Sequence, residues 1–222
     1  MKKLAFGLLL GTISSTAAFA GPAANGMYAD LFVGGVWPET INFTQAAVNP
    51  DEVNGTLSLN NGFDVSGAVG FDVGNGFSLE GQVGYLKANT DTLSLPDVPA
   101  SGMADGDVSA LYGMVNAWYS MDMGGITPFI GGGVGAANLT INSDYSDLTG
   151  SPAGTNYTND SATAFAWQLG VGLQAAITDN VDIVGRYRYF NTADATFTDG
   201  DGTDITASLH AHIVEVGVRV GM

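Results

Sequence analysis

Between Gly62 and Tyr85 the chain alternates so strictly that an extended backbone is the natural reading. Phe63, Val65, Val69, Phe71 and Val73 take every second position, with Gly67 in the gap, while Asp64, Ser66, Ala68, Gly70 and Asp72 fall between them. Successive side chains of a strand point to opposite faces, so one face is apolar and the other small or charged. Gly74-Asn75-Gly76 interrupts the pattern as a short turn, and Phe77, Leu79, Val83 and Tyr85 then resume the apolar face against Ser78, Glu80, Gln82 and Gly84. A soluble sandwich would bury the apolar face and wet the polar one. A membrane barrel would turn the apolar face to lipid and enclose the small and charged one.

The rest of the chain repeats this pattern. Met27 to Trp37 is a strand window with Ala29, Leu31 and Val33 alternating against Asp30, Phe32 and Gly34. Asp107 to Met121 sets Leu111, Val115, Ala117, Tyr119 and Met121 against Tyr112, Met114, Asn116, Trp118 and Ser120. Ile126 to Leu139 carries Ile130, Val134 and Ala136 on one face and bare Gly131, Gly133 and Gly135 on the other, which reads as room for bulky neighbours. Phe165, Trp167, Leu169, Val171 and Leu173 alternate within Ala164 to Ile177, and Val181, Ile183, Tyr187 and Tyr189 within Val181 to Phe190. Ile205 to Met222 closes the series with Val214, Val216, Val218 and Val220.

The connections then decide the class. Residues 38–61, 87–106, 143–160 and 191–204 read as long polar loops, whereas the links at Gly74, at Asp122 to Gly125 and at Thr178-Asp179-Asn180 are tight. Long and short connections therefore alternate, as in outer-membrane barrels with short periplasmic turns and long external loops. The expected fold is all-β, an eight-stranded antiparallel transmembrane β-barrel occupying residues 21–222. Residues 1–20 have the build of a secretory signal peptide: Lys2 and Lys3, an apolar run from Leu4 to Leu10, and Ala18-Phe19-Ala20 before the cut. The chain has no Cys, which removes disulfides, thiolate metal sites and a cysteine nucleophile.

Beyond the signal peptide the basic residues are Lys87, Arg186, Arg188 and Arg219, set against 22 acidic residues. So acidic a surface repels phosphate backbones and excludes nucleic acid as a partner. Arg186, Arg188 and Arg219 nevertheless fall on the faces that periodicity turns inward, together with Asp72, Glu80, Asp182 and Glu215. An arginine at the lipid midplane would cost about 2–4 kcal/mol, whereas in the lumen it can meet a carboxylate. These seven residues are the candidate lumen charge network. Eight strands enclose a space that side chains fill, so the network is expected to plug the barrel more than to line a wide channel. Trp37, Tyr85, Tyr119 and Trp167 fall near strand ends and suit aromatic girdles at headgroup depth, which makes outer-membrane lipid the expected surroundings.

Pro128-Phe129-Ile130-Gly131-Gly132-Gly133-Val134-Gly135 resembles the Pro-aromatic-x-Gly-x-Gly-x-Gly strand of small outer-membrane barrels of the opacity-protein and outer-membrane-protein-A-like group. Trp167 to Gly172, Thr178 to Val181 and Gly185 to Tyr189 are similar to the closing strands of that group. The resemblance implies insertion by the outer-membrane assembly machinery and variable external loops that bind host or environmental surfaces. It also implies an aromatic last residue recognised during assembly, a position held here by Met222.

Sharper chemistries find little support in the pattern. Ser208, His210 and Glu215 invite a hydrolase reading, but Glu215 points away from the face that Ser208 and His210 share. His210 and His212 could supply half of a metal site. Asp199 to Asp204 has alternating oxygen ligands without the closing glutamate of a calcium loop. No catalytic residue, cofactor or metal is therefore expected. The expected function is a non-enzymatic surface protein, structural or adhesive through acidic external loops, with a narrow porin as the alternative and a lipid-modifying enzyme a more distant third.

Overall fold

The computed structural model describes residues 26–45, 53–94, 102–145, 157–198 and 204–222. The expected signal peptide and most of the Asp199 to Asp204 segment lie outside the described residues. Eleven strands are present among the described residues: β1 (Met27–Pro38), β2 (Ile41–Gln45), β3 (Val53–Gly74), β4 (Phe77–Ser94), β5 (Gly102–Ser120), β6 (Ile126–Tyr145), β7 (Tyr157–Thr178), β8 (Val181–Thr192), β9 (Ala195–Thr198), β10 (Asp204–Ala207) and β11 (His210–Gly221).

Eight of them form a ring. β3 to β8 pair with their neighbours in sequence, β8 pairs with β11, and β1 lies between β11 and β3, all antiparallel. Closure leaves no unpaired edge in this ring, so its backbone groups are satisfied within the wall, the condition for crossing a bilayer with strands. At one end the strands are joined by short turns. Gly74, Gly76, Gly124 and Gly125 have positive φ there, a conformation that glycine adopts without a steric penalty, and Asn75 between the first two sits in the left-handed region that asparagine tolerates.

The two faces of the wall differ as the alternation requires. Leu31, Val33, Val65, Val69, Val83, Val115, Ile130, Val134, Leu169, Val216 and Val218 are exposed on the outside. Their sequence neighbours Phe32, Asp64, Ser66, Glu80, Gln82, Asn116, Gln168, Arg186 and Glu215 are buried inside. β5 resolves the strand whose faces were both bulky: Tyr112, Met114, Asn116 and Trp118 point to the lumen, and Leu111, Val115 and Tyr119 point out.

The structure corrects the expected connections. Residues 53–61, 87–94, 102–106, 140–145 and 157–163, within or beside segments that read as loop, continue the strands of the wall. A 20-residue strand such as β6, at about 3.3 Å per residue and a tilt of about 45°, rises about 47 Å, well beyond an apolar band of about 25 Å. The 38–61 and 191–204 segments also contain β2 and β9, and the expected last strand is broken at Ser208-Leu209, because β10 leaves the ring to pair with β9 and β2. Polar composition concealed these elements, since strands above the membrane need no lipid-facing apolar side.

Inside, above the Asp30–Arg219 pair nearest the turns, three layers follow one another toward the loop end. Phe32, Trp118, Phe129 and Val184 pack together near the turns. Charged and amide side chains come next. Above them lies an apolar core that includes Val36, Leu86, Tyr112, Leu139, Phe190 and Ile213, to which Ile41 of β2, Phe197 of β9 and Ala207 of β10 are added. The short extra strands thus contribute to the filling of the loop end of the barrel.

Candidate functional site: the lumen charge network

Arg188 occupies the centre of the lumen and is fully buried. Its Nε donates to Glu215 Oε2 at 2.7 Å and its Nη2 to Glu215 Oε1 at 2.9 Å, a two-pronged pair across the β8–β11 ladder. Nη2 also reaches Asp64 Oδ1 of β3 at 3.2 Å and the Tyr112 hydroxyl of β5 at 2.9 Å, while Nη1 donates to Gln168 Oε1 of β7. The Tyr112 hydroxyl in turn donates a hydrogen bond to Asp64 Oδ2 at 2.8 Å. One guanidinium therefore ties β8 to four other strands. Its fixed fork of five donors suits that task better than a point charge would.

Arg186, two residues along the same face, donates from Nε to Glu215 Oε2 at 2.7 Å and lies 3.7 Å from Glu80 Oε1. Its guanidinium rests 3.6 Å above the Phe32 ring. Glu80 Oε1 accepts from Asn116 Nδ2 at 2.9 Å, and Gln168 Nε2 donates to Asn116 Oδ1 at 2.7 Å. Gln82 and Ser66 close the chain of bonds, Gln82 Nε2 donating to Ser66 Oγ at 3.1 Å and Ser66 Oγ to Glu215 Oε1 at 3.2 Å. Nearer the turns Arg219 forms a second node. It binds Asp30 through two parallel bonds of 2.8 and 2.7 Å, donates to Gln174 Oε1 at 3.0 Å and stacks 3.7 Å over the Tyr28 ring.

β6 contributes glycine to this layer. A Cβ at Gly133 would strike Asn116 Oδ1, and one at Gly131 would meet the Trp118 ring. These bare positions are what let the large polar side chains of β5 lie across the wall.

Of the seven residues predicted from sequence, the structure brings Glu80, Arg186, Arg188 and Glu215 into one cluster and places Arg219 3.9 Å from Glu80. Asp182 is half-buried and accepts from Gln174 Nε2 at 2.7 Å, one step removed from Arg219. Asp72 departs from the expectation. It is exposed, at the rim of an open recess of about 330 Å³ whose lining also includes Asp182, Gln174, Tyr28 and Arg219. Strand β3 has reached its turn by then, so its inward face meets solvent and not a packed lumen. Asp64 and Asp30 take the carboxylate positions that the sequence reading left out, and Tyr112, Asn116, Gln82 and Gln168 supply its neutral bonds.

The aromatic positions lie on the outer wall. Tyr119 packs against Phe77 at 4.8 Å near the turns, and Tyr85 against Phe63 at 6.3 Å farther up. Trp167 meets Tyr189 edge-on at 5.8 Å, and Trp37 lies opposite His212 in the β1–β11 ladder. His212 is held by the Tyr187 hydroxyl at 2.7 Å and Glu39 at 3.2 Å, whereas His210 is held by Ser208 and Asn191. The two histidines are turned to different partners and do not converge on one ion position.

Residues 6–219 match the family model described as outer membrane protein beta-barrel domain. The chain belongs to that family. It is 32% identical over 87 residues to outer membrane protein PagN of Salmonella typhimurium, a match spanning 38% of this chain and 35% of that protein. It shares its fold with OprG of Pseudomonas aeruginosa (TM-score 0.55, 12% identity, 91% of this chain and 99% of that one). The same holds for Neisserial surface protein A (TM-score 0.50, 16% identity, 89% and 97%). The chain is an eight-stranded antiparallel barrel of the bacterial outer membrane.

Proposed function

We propose that this barrel is a surface protein whose work is done by its acidic external end, in a structural or adhesive role that is itself non-enzymatic, and not a channel. The observation that carries the proposal is the filled lumen. Arg188, Glu215, Asp64 and Glu80 are bonded to one another or to amide and hydroxyl partners at the centre, and an apolar core including Leu86, Phe190 and Ile213 lies over them. Water or an ion crossing along the axis would have to break buried charge pairs and then pass an apolar layer, and both steps are costly. A narrow porin needs a continuous polar path, and the apolar layer interrupts it.

The external end has the opposite character. Glu39, Asp91, Asp194 and Asp204 are exposed there. In sequence, the segments 46–52, 95–101, 146–156 and 199–203 add Asp51, Glu52, Asp97, Asp147, Asp199 and Asp201 and contain no Lys or Arg. A surface of this sign attracts basic protein patches through fields that salt screens. In this reading the signal peptide at residues 1–20 directs export across the inner membrane and is removed, and the assembly machinery of the outer membrane then inserts the barrel.

The test is an exchange of those four segments for Gly/Ser sequences of equal length, in cells displaying the protein. Binding to host-cell or matrix surfaces should fall to the level of cells without the protein and should weaken with salt in the unaltered chain. Undiminished binding after the exchange would refute the reading.

A further inference from the structure

On the outside of the wall, at the level of the upper aromatic belt, Ser208, His210 and Asn191 make a constellation independent of the lumen. Ser208 Oγ lies 3.2 Å from His210 Nε2. The other ring nitrogen, Nδ1, faces the side-chain amide nitrogen Nδ2 of Asn191. Asn191 stands directly opposite His210 in the β8–β11 ladder and is buried, while Ser208 and His210 are half-exposed. All three share the outward face, since Ala211, Ile213 and Glu215 point in.

We propose that Ser208, His210 and Asn191 form a serine-hydrolase site on the barrel wall, acting on acyl esters of lipids in the outer leaflet. A nucleophilic serine needs a base within hydrogen-bond reach and a third group that orients the base, and triads are recognised by that geometry, not by sequence order. On its own strand His210 has no orienting carboxylate, because Glu215 faces the lumen. The neighbouring strand supplies the orienting group instead.

An amide is turned end for end without change of shape. With the Asn191 oxygen accepting from Nδ1–H, His210 Nε2 presents a lone pair to the Ser208 hydroxyl. Nε2 takes the hydroxyl proton as Oγ bonds to the ester carbonyl carbon. The tetrahedral species collapses by breaking the acyl carbon–oxygen bond, and the departing alcohol receives the proton from His210. Water then attacks the acyl-serine by the same steps, giving a free fatty acid, a lysolipid and the original enzyme.

Location supplies the substrate class. Asn191 lies opposite Trp167 in the β7–β8 ladder, and Tyr187, Tyr189 and His212 complete the belt beside it. Toward the membrane interior the wall presents Leu169, Val214 and Val216, each half or more exposed. An acyl chain lying on those residues carries its ester at belt height, against Ser208. Phospholipid and lipooligosaccharide both offer that ester.

The experiment uses the full refolded chain, with folding verified by heat-modifiable gel mobility. Fatty-acid release is measured from phosphatidylethanolamine/phosphatidylglycerol vesicles and, in a second arm, from lipooligosaccharide aggregates; a fluorophosphonate probe is mapped by mass spectrometry. The expected result is release in at least one arm, identifying the source, and probe on Ser208. Ser208→Ala and His210→Ala should each lose about 1,000-fold or more. Asn191 is a positioning residue: Asn191→Leu should lose about 100-fold or more, and Asn191→Asp, which keeps the acceptor, should restore most of it. Absence of release in both arms, release undiminished in Ser208→Ala, or Ser208 labelling that persists in His210→Ala would overturn the assignment. Because the site includes none of the exchanged external segments, its failure leaves the surface role untouched, and the converse holds as well.

Discussion

Replacing Arg188 by Ala removes the group that ties β8 to β3, β5, β7 and β11. Glu215 then keeps Arg186 and Ser66 as donors, Asp64 keeps the Tyr112 hydroxyl, and Gln168 Oε1 loses its guanidinium partner. The balance of central and lower nodes falls from three guanidiniums, Arg186, Arg188 and Arg219, to two against the same four carboxylates, Asp30, Asp64, Glu80 and Glu215. Removing one partner of a buried pair costs about 3–5 kcal/mol, because the other charge stays behind. With a urea dependence of about 2 kcal/mol per molar, the unfolding midpoint should drop by about 1.5–2.5 M. The assay is equilibrium urea unfolding of the refolded protein in lipid vesicles, followed by tryptophan fluorescence and by heat-modifiable mobility. Arg188→Lys keeps the charge without the planar fork and should fall between wild type and Arg188→Ala. A midpoint shift below about 0.5 M for Arg188→Ala would refute the idea that the cluster holds the wall together.

Three further substitutions separate the layers of the structure. Gly133→Val places side-chain atoms where Asn116 Oδ1 lies and should destabilise the barrel by about 1–3 kcal/mol in the same unfolding assay. Val134→Arg, one residue along and exposed on the outer wall, should cost about 2–4 kcal/mol in a bilayer and far less in detergent, where the chain end reaches water easily. Asp72→Asn, at the open rim, should stay within about 0.5 kcal/mol of wild type, which distinguishes the rim from the central cluster.

The membrane-crossing part of the fold was legible because lipid outside and packed polar groups inside impose a period of two. Val65, Val69 and Val83 could face lipid only if Asp64, Ser66 and Glu80 faced in, and the structure has them so. The same rule breaks down beyond the bilayer. Residues 87–94 and 140–145 are strand with no lipid to demand an apolar face, and their Asn, Thr and Asp content reads as loop. Within the network, charge drew attention to Glu80 and Glu215, but whether a carboxylate is central or rim-exposed depends on its height along the barrel. Asp64 lies opposite Gly34, which lies opposite Glu215, so counting residues around the ring from that ladder places Asp64 beside Arg188 and leaves Asp72 near the turn. The apolar upper core was out of reach, because β2, β9 and β10 join it through pairings between distant short segments.

The proposal that the barrel is not a channel is tested most directly by single-channel recording of the refolded wild type and Arg188→Ala in planar bilayers, after folding has been verified by gel mobility. On the proposed reading, the wild type should insert without steady conductance steps, because an ion would have to break the buried charge cluster and pass the apolar core above it. Steady steps in the wild type, changed in size or ion selectivity by Arg188→Ala, would contradict a closed barrel and make the arginine cluster the filter of a pore.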